Sequence, residues 1–245
     1  MKKTFCIFGA TSGIGLDFVK KNIKKNKVYC IGQNFTELDK FVNKNNYKKN
    51  YIKIKTDLSK NNAFNIYKKI KNNLDLILVS SGKHVNRMLT HFDKGKNYDE
   101  ILNINLNNPF KIISKLYSLN KINDKANIIF IGSINGSSKY LAGSSYYGIS
   151  KSALITACIY MAQEMARNQI KVNSISPAMV KTPLLDKASH LSSIAIKNDK
   201  KRYLLSKDYL STHEIIDFIN YLISKKQKNI TGQNFVIDSG FTISN

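Results

Sequence analysis

Short apolar runs alternate with stretches of helical periodicity along almost the whole chain. TFCIFG (4–9) reads as a strand, and IGLDFVKKNIKK (14–25) behind it carries apolar residues at helical spacing. VYCIG (28–32) and FTELDKFVNK (35–44) repeat the pair, as do YIKIK (51–55) and AFNIYKKIKNN (63–73). LDLILVSSG (74–82) opens almost uniformly apolar, as a strand covered on both faces must be. A helix over 98–119, a strand ANIIFIGS (126–133), a helix over 147–167 and a strand IKVNSIS (170–176) follow. Beyond Thr182 the pattern fades until a helix HEIIDFINYLIS (213–224) and a last strand NFVID (234–238). Strands alternating with helices predict right-handed βαβ units and a parallel, doubly wound α/β sheet. No internal repeat or linker-like shift in composition divides the chain, so one domain over 1–245 is expected.

Two places in this frame carry chemistry. The first strand runs into GATSGIG, with Gly9, Gly13 and Gly15 at a strand-to-helix junction. Such a turn lets a ligand approach the backbone, and the helix behind it offers free N–H groups and a partial positive charge to a diphosphate. The sheet is therefore expected to be of the Rossmann type, with Thr11, Ser12 and Ile14 completing the turn. At the end of the second strand stand Gly32, Gln33 and Asn34, where a carboxylate often holds the ribose hydroxyls of NAD. With no acidic side chain there to repel a ribose phosphate, NADP is favoured and NAD is possible. TDLS places Asp57 and Leu58 behind the third strand. Asp57 is read either as an adenine acceptor or as a turn-capping residue.

The second place is KYLAGSSYYGISKSAL (139–154). Tyr147 and Lys151, four apart, share one helix face, whereas Tyr146 points about 100° away. A neighbouring ammonium favours phenolate, so Tyr147 is expected to titrate below its ordinary value and to serve as an acid or base at a carbonyl or alcohol oxygen. Ser133, closing the fifth strand, is expected on the same sheet edge.

Taken together, these motifs resemble the short-chain dehydrogenase/reductase family in its short, single-domain form, from Lys3 to about Thr242. GATSGIG resembles its glycine motif, LNINLNN the segment of its catalytic asparagine (Asn105), IGSINGS the serine segment (Ser133), and YGISK the tyrosine and lysine (Tyr147, Lys151). VNSISPAMVKTP resembles the stretch where Pro177, Val180 and Thr182 approach the nicotinamide, and ITGQNFVIDSG the closing strand. By this resemblance Ser81 and Gly82, after the fourth strand, also contact the cofactor. The resemblance implies hydride transfer between nicotinamide and a carbonyl or alcohol carbon without a metal. Tyr147 would be the general acid or base, Lys151 would hold the ribose, Ser133 the substrate oxygen, and Asn105 a water that leads protons to Lys151. Departures are Phe8, where a threonine usually precedes the first glycine, Val79-Ser80-Ser81-Gly82 in place of an asparagine-rich segment, Ala178 for a glycine, and a loop between Ile134 and Ser145 one residue longer than expected.

The resemblance points to a reductase of a carbonyl, such as a 3-oxoacyl thioester. The alternatives are a dehydrogenase or reductase of a sugar or polysaccharide precursor and, in another class, a non-catalytic cofactor-sensing or nucleic-acid-associated protein. Retention of Asn105, Ser133, Tyr147 and Lys151 together argues against the last. The segment after Thr182 holds Lys187, His190, Lys197, Lys200, Lys201 and Arg202, which is read either as a site for an anionic small-molecule substrate or as a solvated lysine-rich loop. Homotetramers or homodimers, through the helices over 98–119 and 147–167 and the last strand, are implied by the family.

Composition changes this picture little. Lys+Arg number 39 against 16 Asp+Glu, a net charge of +23, which would attract nucleic acid or acidic partners. Arginine, however, occurs only at Arg87, Arg167 and Arg202, and the lysines are scattered, so no specific nucleic-acid partner is expected. No apolar run approaches the roughly 20 residues of a membrane span. The opening MKKTFCIFGA is read as a strand rather than a leader, with a cytoplasmic location expected. Cys6, Cys30, Cys158 and the four histidines show no metal-ligand spacing.

Overall fold

The computed structural model describes residues 2–84, 89–188 and 193–244. Seven parallel strands form one sheet: β1 (Thr4–Phe8), β2 (Lys27–Gly32), β3 (Tyr51–Lys55), β4 (Leu74–Val79), β5 (Ile122–Ile131), β6 (Lys171–Pro177) and β7 (Asn234–Ile237). Their spatial order is β3-β2-β1-β4-β5-β6-β7. The order reverses between β1 and β4, which opens a crevice at their carboxyl ends. Helices α1 (Gly13–Asn22), α2 (Thr36–Lys44) and α9 (Thr212–Leu222) are on the side where Phe5 and Ile7 of β1 join the core. On the other face Cys6 and Phe8 pack with α5 (Asn108–Ser118) and α6 (Ser145–Glu164). Alternation along one strand thus feeds two cores, the physical basis of the doubly wound arrangement.

Local chemistry starts the helices where the pattern suggests. Asn34 Oδ1 accepts the Thr36 N–H (3.0 Å) and hydroxyl (2.8 Å) at the head of α2. Ser211 and Glu214 form a reciprocal capping box on α9, and Pro109 occupies the first turn of α5, where no N–H is missed.

Three elements differ from expectation. The run after β3 is a 3-10 helix, Asn61–Lys69, with Ala63 and Ile66 buried three residues apart and Phe64 and Tyr67 packed beside them. The helix expected over 98–119 is broken into α4 (Tyr98–Leu102), a π-helical turn (Asn103–Asn107) and α5. Such π-turns gather at functional sites, and here Asn105 is its fully buried residue. Where the periodicity faded after Thr182, two short helices are present, α7 (Pro183–Ala188) and α8 (Ser193–Lys201), along with α3 (Thr90–Asp93) in the loop behind β4. No helix among the described residues is long and apolar enough to cross a membrane.

Candidate active site

The glycine turn, Gln33, Asp57, Ser81 and Ser133 follow the carboxyl ends of strands, so the sheet gathers them along one edge. Gly9 has φ +77°, and a Cβ there would lie 2.6 Å from the Ser81 backbone nitrogen. This glycine is required by the close approach of the β1 and β4 ends. Gly15 lets α1 settle on that junction, since a Cβ would overlap the Gly9 carbonyl and the Ser80 hydroxyl. Ser80 donates to the Phe8 carbonyl through both its N–H (3.0 Å) and its hydroxyl (2.9 Å). The departure noted at Phe8 and Ser80 is therefore one compensated change: a serine bond to the Phe8 backbone ties the two strands together.

Gly13 is the glycine that faces Thr182. Its φ is +50°, and a Cβ would come within 3.1 Å of the Thr182 methyl. Ser12, extended and exposed, makes no side-chain cap bond, so the first-turn N–H groups of α1 are left for an anion. Thr11 lies against Gly32 at the end of β2, and Ile14 packs on the core. Val180, bridged to Leu210, holds the stretch from Pro177 to Thr182, where Lys181 N–H donates to the Leu210 carbonyl at 2.8 Å. A dinucleotide fits these residues, because the phosphate-side turn and the residue expected beside the nicotinamide meet at Gly13 and Thr182.

At the other end of the expected cofactor, Gln33 is exposed and hydrogen-bonds Asp57. Asp57 Oδ1 also accepts the Ser59 N–H at 2.9 Å, and these bonds, with Lys60 nearby, hold its carboxyl below the usual range. The turn-capping reading is thus satisfied. The Leu58 side chain belongs to the core, where Asn108 Nδ2 donates to its carbonyl at 2.8 Å, so only its backbone is available to a ligand.

Tyr147 lies in the first turn of α6, which begins two residues earlier than expected. Its phenol lies beside Ser133, which draws its pKa down; Ser133 is 8% exposed and its hydroxyl accepts the Asn135 N–H at 3.2 Å. Lys151, 3% exposed, donates to the Ile131 carbonyl at 2.7 Å and stands 5.7 Å from the centre of the Tyr147 ring. Burial moves the two groups in opposite directions. It pushes the phenol up, against a smaller downward pull from Ser133, and brings the lysine down to about 8. This corrects the expectation of a lowered Tyr147 from the neighbouring ammonium: desolvation is the largest influence on the phenol and raises it. Tyr146 is occupied elsewhere, accepting the Gly95 N–H at 3.2 Å and meeting Tyr98 edge-on.

Asn105 reaches the site through the π-turn. Its Oδ1 accepts the Lys83 N–H (2.7 Å), while its Nδ2 donates to the Lys83 carbonyl (3.1 Å) and the Ser150 hydroxyl (2.8 Å). Ser81 bonds the Ile104 carbonyl at 3.3 Å, and Gly82 lies between Lys151 and Asn105: a Cβ there would be 3.6 Å from Lys151 Nζ and 3.9 Å from Asn105 Oδ1.

Reading the sequence alone missed two residues. His84 meets Tyr147 edge-on with ring centres 4.8 Å apart and pairs with Ser144 at 3.1 Å. It was weighed as a metal ligand, for which a lone histidine has no partner spacing, and no signal tied it to the tyrosine. Ser150 was part of YGISK but had no assigned task. The longer loop before α6 is folded back by Asn135 Oδ1, which accepts the Leu141 N–H at 3.2 Å. Of the basic cluster after Thr182, Lys200 pairs with Asp208 (2.8 Å) and Arg202 stacks on Phe241 (4.2 Å), so neither is left over for an anion. His190 lies outside the described residues, as does the side chain of Lys187. Among the described residues, no three His, Cys, Asp or Glu gather as a metal site.

Residues 9–242 match the model of the family described as enoyl-(acyl carrier protein) reductase. This chain belongs to the short-chain dehydrogenase/reductase family. It is 29% identical over 252 residues to a 3-oxoacyl-[acyl-carrier-protein] reductase of Buchnera aphidicola, covering 98% of this chain and 97% of that one. A tropinone reductase homolog of Arabidopsis thaliana is 24% identical, with 99% and 93% covered. Among solved structures, 4-hydroxyisoleucine dehydrogenase complexed with NADH superposes with a TM-score of 0.86 at 28% identity, over 100% of both chains. The short-chain dehydrogenase/reductase of Serratia marcescens shares the fold at 23% identity and a TM-score of 0.85, with 98% of each chain covered. The protein is an oxidoreductase with a nicotinamide cofactor.

Proposed function

We propose that this short-chain dehydrogenase/reductase is an NADP(H)-dependent reductase of a 3-oxoacyl thioester. The observation that carries the chemistry is the buried Tyr147 phenol beside Ser133, with the Lys151 ammonium 5.7 Å from its ring on the same helix. Ser133 and Tyr147 hold the carbonyl oxygen, and Tyr147 gives it a proton as hydride arrives at carbon. When bound, the nicotinamide supplies that hydride and, oxidised, a positive charge that favours the phenolate. Lys151 binds the ribose and passes a proton inward from the side of Asn105. Gly9, Thr11, Ser12, Gly13, Ile14 and Gly15 hold the diphosphate, Gln33, Asp57 and Leu58 the adenosine half, and Ser81, Gly82, Pro177, Val180 and Thr182 the nicotinamide half.

Similarity to the Buchnera reductase supports the thioester. The exposed, uncharged Gln33 behind β2 supports NADP over NAD. An outer face of α6 that exposes Ile149, Ile159 and Tyr160 supports a homo-oligomer. The free, buried cysteines suit a reducing cytoplasm. The test is a spectrophotometric screen of NADPH and NADH against 3-oxoacyl thioesters, sugars and simple ketones. NADPH oxidation with the thioester, abolished in Tyr147→Phe with coenzyme binding retained, is the expected result. Turnover that survives in Tyr147→Phe overturns the mechanism, and activity confined to sugars overturns the substrate.

A further inference from the structure

We infer that Ser150 is a positioning residue for the reaction, acting through Asn105. The bonding pattern leaves little freedom. The Lys83 backbone offers one N–H and one carbonyl to the Asn105 amide, so Oδ1 must meet the first and Nδ2 the second (2.7 and 3.1 Å). The remaining proton on Nδ2 then points at Ser150 Oγ (2.8 Å), which must accept it and send its own proton to the Tyr147 carbonyl at 2.7 Å. Asn105 and Ser150 are each 0% exposed, so water cannot replace either bond.

One hydroxyl thereby joins three separate parts: the π-turn that carries Asn105, the loop behind β4 at Lys83, and the helix that carries Tyr147 and Lys151. The loop matters because Gly82, one residue before Lys83, borders both groups: a Cβ there would stand 3.6 Å from Lys151 Nζ and 3.9 Å from Asn105 Oδ1. Ser150 accordingly fixes how far the ammonium stands from the amide oxygen, a spacing neither α6 nor the π-turn sets alone. It touches no reacting atom.

This inference rests on the reductase reading above, and its test separates the two. In the ligand-free protein, hydrogen exchange of the Lys83 amide is compared between native and Ser150→Ala. At least tenfold faster exchange is expected once Asn105 loses its second anchor. With the thioester and NADPH, Ser150→Ala should lower kcat by about ten- to a hundredfold, the scale of a misplacement near 1 Å, with little change in KM. In an Asn105→Ala background the same substitution should cost nothing further, whereas a merely structural role would add its loss to that of Asn105. Should Ser150→Ala fail to fold, as judged by its thermal transition, Ser150→Cys, a weaker acceptor of similar shape, takes its place with the same expectations. Unchanged Lys83 exchange, or additive losses in kcat, overturns the inference. Faster exchange in a protein that reduces no carbonyl refutes the reductase reading and, with it, any role for the Ser150 link in catalysis.

Discussion

Replacing Gly9 by alanine separates two physical effects that meet at this residue. A left-handed φ costs an L-residue about 1–2 kcal/mol. In addition, the new Cβ would stand 2.6, 2.8 and 2.9 Å from Ser81 N, Ser81 Cα and Ser80 C, all backbone atoms. None can swing aside as a side chain would, so β4 must slide away from β1 and stretch the Ser80 bonds to the Phe8 carbonyl. Overpacking of this kind costs about 1–3 kcal/mol, which brings the total to about 3 kcal/mol. For a chain of this size that corresponds to a fall in Tm of about 6–12 °C. Gly95 is the control: its φ is +81°, yet a Cβ there meets nothing within 4 Å. Gly95→Ala should therefore lose only the conformational part, about 1–2 kcal/mol. Urea unfolding of the two variants beside the native protein measures both. Equal losses would show that backbone overlap contributes nothing at Gly9, and the account of the β1–β4 junction would fail.

Two further outcomes are expected. Burial brings Lys151 down to about 8, below its unfolded value near 10.4, so the unfolded chain binds more protons between these limits and stability should rise with pH there. Tyr147, pushed upward, adds nothing until the pH passes 10. Native minus Lys151→Met stability, from urea melts of the ligand-free protein, should increase by about 1.5 kcal/mol between pH 8 and 9.5, and a flat or falling difference would contradict the burial argument. Gln33→Asp places a carboxylate where the ribose phosphate of NADP would sit. It should raise the KM for NADPH by at least about tenfold, one close like-charge contact, while that for NADH changes little; an unaltered NADPH constant would remove the stated basis for the preference.

Much of the site was legible because the family motifs are short, local and attached to strand ends. GATSGIG and Ser133 stand at the ends of apolar runs, a parallel sheet carries such junctions to one edge, and the four-residue spacing of Tyr147 and Lys151 sets them on one helix face. His84 and Ser150 were not legible in this way. The first meets Tyr147 from a loop 63 positions away, and the second acquires its partner Asn105 only when the π-turn packs against α6.

Residue order by itself determined the alternation of strands and helices, the glycine turn and the spacing of the tyrosine and lysine, because these depend on periods of two to four residues. Only the tertiary structure decided which glycines serve the packing of β1 on β4 and which faces Thr182, that Asn105 lies in a π-turn rather than a continuous helix, and that burial drives Tyr147 and Lys151 apart in proton affinity. Each of these depends on what a distant segment places within a few ångströms, and the desolvation and overlap it causes are not a property of any local stretch of chain.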